Sequence, residues 1–306
     1  MEKPHRTSLL PLCVLLATLC VPRPSGAQEV YRDAGATALA FLKMDVGARA
    51  AALAGTGILN DSRLAVFGNP ALLAGSAPSL TIGHNQWFGT TTQDFVAGVF
   101  GMGGVTASVA FRILHTGDIE YREEATGDPV DTFSAWDVSV SCAGAVTLGV
   151  FDLGAGVKLL REKVWTEDSD ALAFDAGCTV RPMEGLRLAA VFQNIGPMVT
   201  MVDESFRLPF TWRLGARYTR GLPVGRLSVT GEVSKAIDYT PRTSAAVEYV
   251  PVDWVSLMTG YRFGDDSQGF TAGAGLEAGG WTLDYAFVPG RYALGTAHRF
   301  TLSRSI

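Results

Sequence analysis

The histidines are the first residues that could do chemistry, either as acid–base groups or as metal ligands. Beyond the N-terminal segment there are three, His84, His115 and His298, and they lie far apart in the sequence. The sequence has no HExxH, CxxC or G-x-S-x-G motif, so it indicates no metal site, redox pair or activated nucleophile. We therefore expect no enzyme activity, no catalytic residue, no metal and no cofactor.

Two further groups could in principle bind a ligand or each other. The acidic run Glu167, Asp168 and Asp170 could hold calcium, but it lacks the glycine and the terminal glutamate of a recognised calcium loop, so a solvated outer loop is the favoured interpretation. Cys142 and Cys178 stand where the pattern otherwise has apolar residues. They are interpreted as small hydrophobic residues and not as a disulfide framework.

Charged residues of both signs recur at alternate positions of otherwise apolar segments, which predicts that they share one face of β-strands. An arginine on the lipid face of a barrel costs about 2–4 kcal/mol at the bilayer midplane, so these residues indicate the inner face. We expect them to pair with one another and brace a plug, or else to define a substrate path. The set comprises Arg213, Arg217, Glu232, Glu248, Arg262, Glu277, Asp284 and Arg299.

The elements that must position these charges are strands of about ten residues, each ending at a turn signal. In the clearest segment Trp212, Leu214 and Ala216 alternate with Arg213 and Arg217, so the apolar groups and the arginines face opposite ways. The pattern predicts fourteen strands, an even number as bacterial barrels have. They lie at 79–88, 92–101, 105–115, 134–146, 148–160, 171–180, 186–195, 208–219, 226–237, 243–250, 253–263, 269–278, 280–288 and 296–305.

The connections between these strands alternate in length, as expected for short periplasmic turns and longer outer loops. Predicted long connections include 116–133, 161–170, 196–207 and 289–295, and short ones include Gly279-Gly280. A soluble sandwich or soluble barrel would show the same period of two. Aromatic residues near strand ends, glycine on the non-apolar face and a C-terminal strand resembling an outer-membrane insertion signal favour the membrane.

The N-terminus predicts export. Lys3 and Arg6 precede an apolar run over 9–19, and Ser25-Gly26-Ala27 suits cleavage after Ala27. A lipoprotein anchored through Cys20 is the less favoured alternative, because Leu19 stands where a small residue is needed. The net charge of −5 gives no support to nucleic-acid binding. The predicted organisation is a signal peptide at 1–27, a hatch segment at 28–78 and the barrel at 79–306.

The segment before the first strand has no period of two and is rich in alanine and glycine. A barrel of fourteen strands has a backbone radius of roughly 14 Å, too wide for its own side chains to fill, so this segment is expected to plug the lumen. Asn69 can cap a short helix over 70–73 that begins at Pro70, since proline lacks the N–H that would be unpaired there.

The plug segment also resembles a known family. Phe41-Leu42-Lys43, Gly47-Ala48-Arg49-Ala50, Ala54-Gly55-Thr56-Gly57, Asn60-Asp61 and Gly68-Asn69-Pro70-Ala71-Leu72 follow, in order and spacing, the N-terminal signature of the PorV/PorQ family. That family is itself similar to the FadL-type channels, which have fourteen strands and an N-terminal hatch with an Asn-Pro-Ala motif. The resemblance implies that the hatch residues include Gly47, Arg49, Asn60, Asp61, Asn69, Pro70 and Ala71.

The resemblance implies a function in type IX protein secretion, in which such outer-membrane proteins receive cargo with C-terminal sorting domains. Contact with cargo or with other secretion components is then expected at loops 116–133 and 196–207. The alternative is a FadL-like channel for hydrophobic small molecules, which predicts an apolar pocket against the plug. An outer-membrane hydrolase is a third hypothesis, which the absence of a catalytic motif disfavours. Outer-membrane lipid is an expected partner in all three.

Overall fold

The computed structural model describes residues 34–125, 127–292 and 295–306, and it is a closed antiparallel β-barrel of fourteen strands. The predicted signal peptide lies outside these residues. Two further short strands, β8 and β9, form a separate hairpin between β7 and β10. The strands are β1 (Ser79–Gln86), β2 (Thr91–Met102), β3 (Val105–Tyr121), β4 (Asp131–Leu148), β5 (Phe151–Val164), β6 (Glu167–Met183), β7 (Leu186–Ile195), β8 (Val199–Met201), β9 (Glu204–Phe206), β10 (Thr211–Gly221), β11 (Arg226–Ala236), β12 (Arg242–Val252), β13 (Val255–Phe263), β14 (Phe270–Ala278), β15 (Trp281–Pro289) and β16 (Thr296–Ser305).

Each barrel strand pairs with the barrel strands that precede and follow it in the chain, so that β7 pairs with β10. The first strand, β1, pairs with β16 and closes the barrel. Closure leaves no unpaired strand edge, which is the condition for a sheet to cross a bilayer. The predicted fold class is therefore confirmed, and each of the fourteen predicted strands has its counterpart in the barrel.

The period of two separates an apolar outer face from a polar inner face. On β10 Leu214 is 51% exposed on the outside, whereas Arg213 and Arg217 face the lumen. On β1 Leu80 and Ile82 are each 49% exposed, and the side chains of Ser79 and Thr81 are buried inside. Large apolar groups exposed around the whole outer surface match a surface solvated by hydrocarbon.

The short turns Gly103-Gly104, Gly149-Val150 and Gly279-Gly280 lie at one end of the barrel, together with the start of β1 and the end of β16. By the rule for bacterial barrels this end faces the periplasm. Several predicted outer loops are shorter than expected. The 116–133 connection is reduced to 122–130, and most of 161–170 is strand around a turn at Trp165-Thr166, so the acidic run lies on β6 and not in a loop.

Strands β3–β6 are longer than predicted because they pair with one another beyond the rest of the barrel. They have 14–18 residues, and their outer tips are joined by aromatic contacts. The ring centroids of Tyr121 and Trp165 lie 5.2 Å apart, and those of Phe133 and Trp165 lie 5.7 Å apart. This raised wall stands at the outer end of the barrel.

The described part of the N-terminal segment has short helices only: the α-helix Ala48–Ala52 and four 3-10 turns, Ala40–Lys43, Gly57–Leu59, Ala65–Phe67 and Pro70–Leu73. Within the described ranges no helix is long and apolar enough to cross a membrane.

Candidate functional site

The hatch, residues 34–78, runs through the lumen from the outer end of the barrel to the periplasmic end. At the outer end Thr37 forms a β-bridge with Arg207 and donates a hydrogen bond to Asp238 at 2.9 Å. Near the periplasmic end Asn60 accepts a hydrogen bond from Arg217. The hatch therefore occupies the lumen along its length, and its contacts with the wall decide what can pass.

Inward-facing glycines on the strands make room for the hatch. A Cβ on Gly154 would lie 2.3 Å from the carbonyl carbon of Pro70, and one on Gly177 would lie 2.1 Å from Oδ1 of Asn69. Gly260 and Gly273 stand in the same relation to Ala54 and Ala52, and a Cβ on Gly215 would make a tight contact of 3.1 Å with Ile58. A side chain at these points would collide with the hatch, which explains why glycine is frequent on the inner face.

The Asn69-Pro70-Ala71 motif fixes the hatch against β5 and β6. Asn69 is fully buried, and its Oδ1 accepts a hydrogen bond from the Ala71 N–H at 3.0 Å, which caps the 3-10 turn that starts at Pro70. Its Nδ2 donates to the Ile58 carbonyl at 2.9 Å and to Thr179 Oγ1 at 3.1 Å. One amide thus joins two turns of the hatch to the barrel wall.

The helix Ala48–Ala52 packs on β13–β16 because its small side chains allow close approach. The Ala48 N–H donates to Thr301 Oγ1 at 2.8 Å, and Thr271 donates to the Ala52 carbonyl at 2.8 Å. Gly47 precedes the helix with φ of 87°, and a Cβ there would lie 2.4 Å from Leu64. The positive φ is the reason for glycine at this position, because the neighbouring atom of Leu64 is the end of a flexible side chain that can move aside.

Arg49, the one charged residue of this helix, joins two lumen carboxylates. It pairs with Glu248 and with Asp284, the latter at 2.7 Å. Arg63 joins the same cluster, since it pairs with Asp61 at 2.9 Å and with Asp284 at 3.0 Å. Removal of one partner from such a buried pair costs about 3–5 kcal/mol, because the other charge is left uncompensated.

Three further lumen arginines hold the hatch. Arg213 pairs with Glu232 at 2.5 Å and donates to the Gly55 carbonyl. Arg262 pairs with Asp45 at 2.6 Å. Arg299 donates to the Asp45 carbonyl at 3.2 Å, and its guanidinium lies 4.0 Å from the ring centroid of Trp87. The sequence pattern assigns Trp87, as an aromatic residue near a strand end, to an interfacial belt; this prediction is wrong, because the ring turns inward onto Arg299.

The hatch carboxylates are fixed in their charged form. Burial would raise the pKa of Asp45, but Arg262, Arg213 and Arg299 outweigh it and the pKa lies below its ordinary value of 3.8. Burial likewise opposes the effect of Arg63 on Asp61, whose pKa is also lowered. A lowered pKa contributes stability above the ordinary value, which is lost only as pH falls through the lowered value. Both ion pairs are therefore intact at neutral pH.

The structure brings most of the sequence-predicted lumen charges together around the hatch. Arg217 completes the cluster by pairing with Glu248 at 2.5 Å. Glu277 is the exception: it is exposed at the periplasmic mouth and forms no ion pair with any described residue. Sequence reasoning missed Arg112, which donates to the Phe41 carbonyl at 2.5 Å, and Lys158, which pairs with Asp175 at 2.7 Å. Both residues lie at inward-facing alternate positions, Arg112 on β3 and Lys158 on β5, so the period of two could have identified them as lumen charges.

The histidines lie apart from the hatch cluster, on the outer face of their strands. His84 contacts Asp94 at 2.7 Å, His115 stacks on Trp136, and His298 contacts Tyr285 at 2.8 Å. No three His, Cys, Asp or Glu residues of the described chain are grouped to hold a metal ion. Cys142 and Cys178 are free thiols.

An apolar cluster fills the lumen near its outer end. The hatch contributes Leu39 and Phe41, which are buried against Leu114, Leu160 and Ala173 of the wall. Val199 and Leu208, from the connection between β7 and β10, belong to the same cluster. Beside it, a cavity of about 120 Å³ lined by Lys43, Asp45 and Glu232 separates the hatch from the wall. It is smaller than the roughly 300–1,000 Å³ of typical ligand pockets, so a ligand there requires the hatch to move.

Comparison with known proteins supports the fold. The sequence matches no family model and no curated protein. Among solved structures it is similar to the toluene transporter TodX of P. putida (TM-score 0.64, 11% identity, 85% of this chain and 98% of that chain) and to the toluene transporter TbuX of Ralstonia pickettii (TM-score 0.60, 12% identity, 85% and 98%). It is also similar to a FadL homologue of Pseudomonas aeruginosa (TM-score 0.55, 12% identity, 84% and 97%). This protein thus has the fold of the fourteen-stranded, FadL-like outer-membrane barrels.

Proposed function

We propose that this protein admits small hydrophobic molecules through the outer membrane, past a hatch that is closed in this structure. The observation that carries the proposal is the apolar cluster near the outer end, in which Leu39 and Phe41 of the hatch occupy a pocket of the wall. Side chains of this kind mark a place that a hydrocarbon of similar size can fill, since burial of apolar surface is non-directional.

One of the two hatch residues in this pocket, Leu39, is held in a strained backbone conformation. Leu39 has φ of 53°, a left-handed conformation that costs a residue with a Cβ roughly 1–2 kcal/mol. Its N–H donates to Glu162 at 3.0 Å, which holds it in place. A ligand that displaced Leu39 and Phe41 would release this strain and thereby recover part of the cost of opening the hatch.

The fold comparison supports the same proposal. TodX and TbuX are described as toluene transporters, and CymD, with a TM-score of 0.63 and 10% identity, as a monoaromatic hydrocarbon channel. Such distant likeness shows the fold and leaves the substrate of this chain to be tested. A fold with an apolar pocket behind a hatch suits passage of a hydrophobic molecule better than passage of a polar solute.

A second candidate is the PorV-type function in type IX secretion. The raised wall of β3–β6 is the observation that favours it, because Val130 and Trp165 at its tip are 62% and 53% exposed. Exposed apolar residues of this kind suit contact with an exported protein. The hairpin β8–β9 within the predicted contact loop 196–207 would lie beside such a partner.

One experiment distinguishes the two functions. A strain lacking the gene is compared with its parent for uptake of labelled toluene and of a labelled long-chain lipid, and for the composition of its secreted proteins. We expect slower uptake and unchanged secretion, and we expect the parent gene but not a Leu160→Glu gene to restore uptake. The matched control is Thr132→Glu on the exposed outer part of β4, which should restore uptake fully. Unchanged uptake together with lost secretion would support the second candidate instead.

A further inference from the structure

The periplasmic mouth of the barrel contains a cavity of about 610 Å³ that is rich in arginine. Four adjacent barrel strands, β6, β7, β10 and β11, each turn one arginine into it, and the hatch closes its floor with Leu59 and Asn60. The four are Arg181, Arg187, Arg217 and Arg226. This cavity is separate from the apolar cluster, which lies at the opposite end of the lumen.

Two of the four charges are already neutralised by the barrel. Arg181 pairs with Asp152 at 2.7 Å, and Arg217 pairs with Glu248 at 2.5 Å. Arg187 and Arg226 are exposed to the cavity and form no ion pair with any residue in the described ranges. The carboxylate of Glu184, in the turn after β6, also lines the cavity but pairs with neither. Neither guanidinium therefore forms a contact ion pair within the described residues, and the carboxylate of Glu248 acts on Arg226 only from a longer distance.

The pairing register of β7 and β10 adds electrostatic repulsion to this arrangement. Arg187 on β7 lies directly opposite Arg217 on β10, on the same inner face. Like charges at directly opposed positions of an antiparallel pair are destabilising. A bound anion would offset both this repulsion and the surplus charge.

We propose that this cavity binds a phosphate monoester group that enters from the periplasmic side, with Arg187 and Arg226 as its ligands. Guanidinium groups match the phosphate oxygens in pairs of parallel hydrogen bonds. A phosphate monoester carries a charge of about −1.5 to −2 at pH 7, which matches the two unpaired arginines. The site is independent of what the barrel transports. The phosphate group can belong to a soluble molecule or to a lipid headgroup, and the experiment separates these sources.

The test uses the full exported protein, purified in a maltoside detergent that contains no phosphate. Titration calorimetry is carried out with glycerol phosphate as the soluble probe and, in a second arm, with micelles that contain phosphatidic acid. We expect saturable binding that is weakened at least ten-fold in Arg187→Gln/Arg226→Gln and less in Arg187→Lys/Arg226→Lys, which keeps the charge but loses the planar fork. Stronger binding of glycerol phosphate would identify a soluble ligand, and stronger binding of the phosphatidic acid micelles would identify a lipid headgroup.

The matched control is Arg220→Gln, because Arg220 lies at the same end of β10 but on the outer face of the barrel. It removes the same charge, so it should leave binding unchanged. Each variant is first checked for heat-modifiable migration, which reports a closed barrel, and the single variants Arg187→Gln and Arg226→Gln replace the double variant if that fails to fold. Absence of binding in both arms, or equal binding by wild type and the arginine variants, would overturn the proposal.

Discussion

Asn69 uses both ends of its side-chain amide, which explains at the scale of one residue why the motif contains asparagine. The oxygen caps the turn at Pro70, a local role that the sequence predicted from residue types alone. The nitrogen binds the Ile58 carbonyl and Thr179, which lie 11 and 110 residues away along the chain. These partners depend on how the hatch packs against β6, and no local pattern indicates them.

This double role gives a prediction for Asn69. Asn69→Ala loses both the cap and the two donated bonds and should lower the free energy of unfolding by about 1–3 kcal/mol. Asn69→Asp keeps the cap but faces the Ile58 carbonyl with a buried carboxylate, so it should be at least as destabilising. Guanidinium unfolding in lipid vesicles measures the effect, with Gln86→Ala at the exposed end of β1 as the control. Wild-type stability of Asn69→Asp would show that the donated bonds contribute nothing.

The lumen charges show the same division between local and long-range information. Their alternate positions predicted the inner face, and Arg213, Glu232 and Asp284 do lie in the lumen. Their partners were not predictable, because Arg49 and Arg63 reach Asp284 from across more than two hundred residues of chain. The identity of each pair follows from the path of the hatch.

At the scale of the element, strands β5 and β6 form a groove for the hatch by omitting side chains. Gly154 and Gly177 face Pro70 and Asn69 at distances that no Cβ can occupy. The backbone of the hatch turn thereby comes close enough to form its cap and its wall contacts together. The hatch turn fits against β5 and β6 only where these strands lack side chains, which explains their glycines.

A substitution in this groove should loosen the hatch without opening the barrel. Gly154→Val places a branched side chain against the Pro70 backbone, and such overpacking costs about 1–3 kcal/mol. We expect faster protease cleavage within the hatch and unchanged heat-modifiable migration of the barrel. The control is Gly98→Val on the outer face of β2, where an added Cβ meets no atom within 4 Å. Equal cleavage of both variants would contradict the claim that Gly154 makes room for the hatch.

The raised wall of β3–β6 is an element whose length the sequence understated. The charged residues Arg161, Glu162 and Lys163 interrupt the apolar alternation, so the pattern indicated a loop there. In the structure the backbone of this segment pairs with both neighbouring strands, and the stacked rings of Tyr121, Phe133 and Trp165 join the tips. Cross-strand contacts of this kind extend a strand beyond its own pattern.

At the scale of the whole molecule, the proposed passage requires the outer end of the hatch to move, and a disulfide can test this. Thr37 and Arg207 are bridge partners, and paired strand residues lie within the reach of a disulfide. We expect Thr37→Cys/Arg207→Cys, in a background with Cys142→Ala and Cys178→Ala, to take up labelled toluene when reduced and to lose at least ten-fold of that rate when oxidised.

The same protein in its reduced state is the control for this lock, and Thr37→Cys alone controls for the oxidant. Recovery of uptake after addition of a reductant would show that the loss comes from the bond. Full uptake by completely cross-linked protein would mean that the substrate does not pass beneath Leu39 and Phe41. The hatch would then be a fixed plug, and the secretion role would become the better explanation.

The sequence by itself determined the number of barrel strands, the direction in which their side chains point and the capped turn at Pro70, and it missed the short hairpin β8–β9. These properties follow from a period of two, from turn residues and from backbone donors close in sequence, all of which act over a few residues. Only the tertiary structure decided which charges pair across the lumen, how far β3–β6 extend, that Trp87 turns inward onto Arg299, and that four arginines line one cavity at the periplasmic mouth. These depend on the path of the hatch and on barrel closure, which bring together residues that share no local pattern.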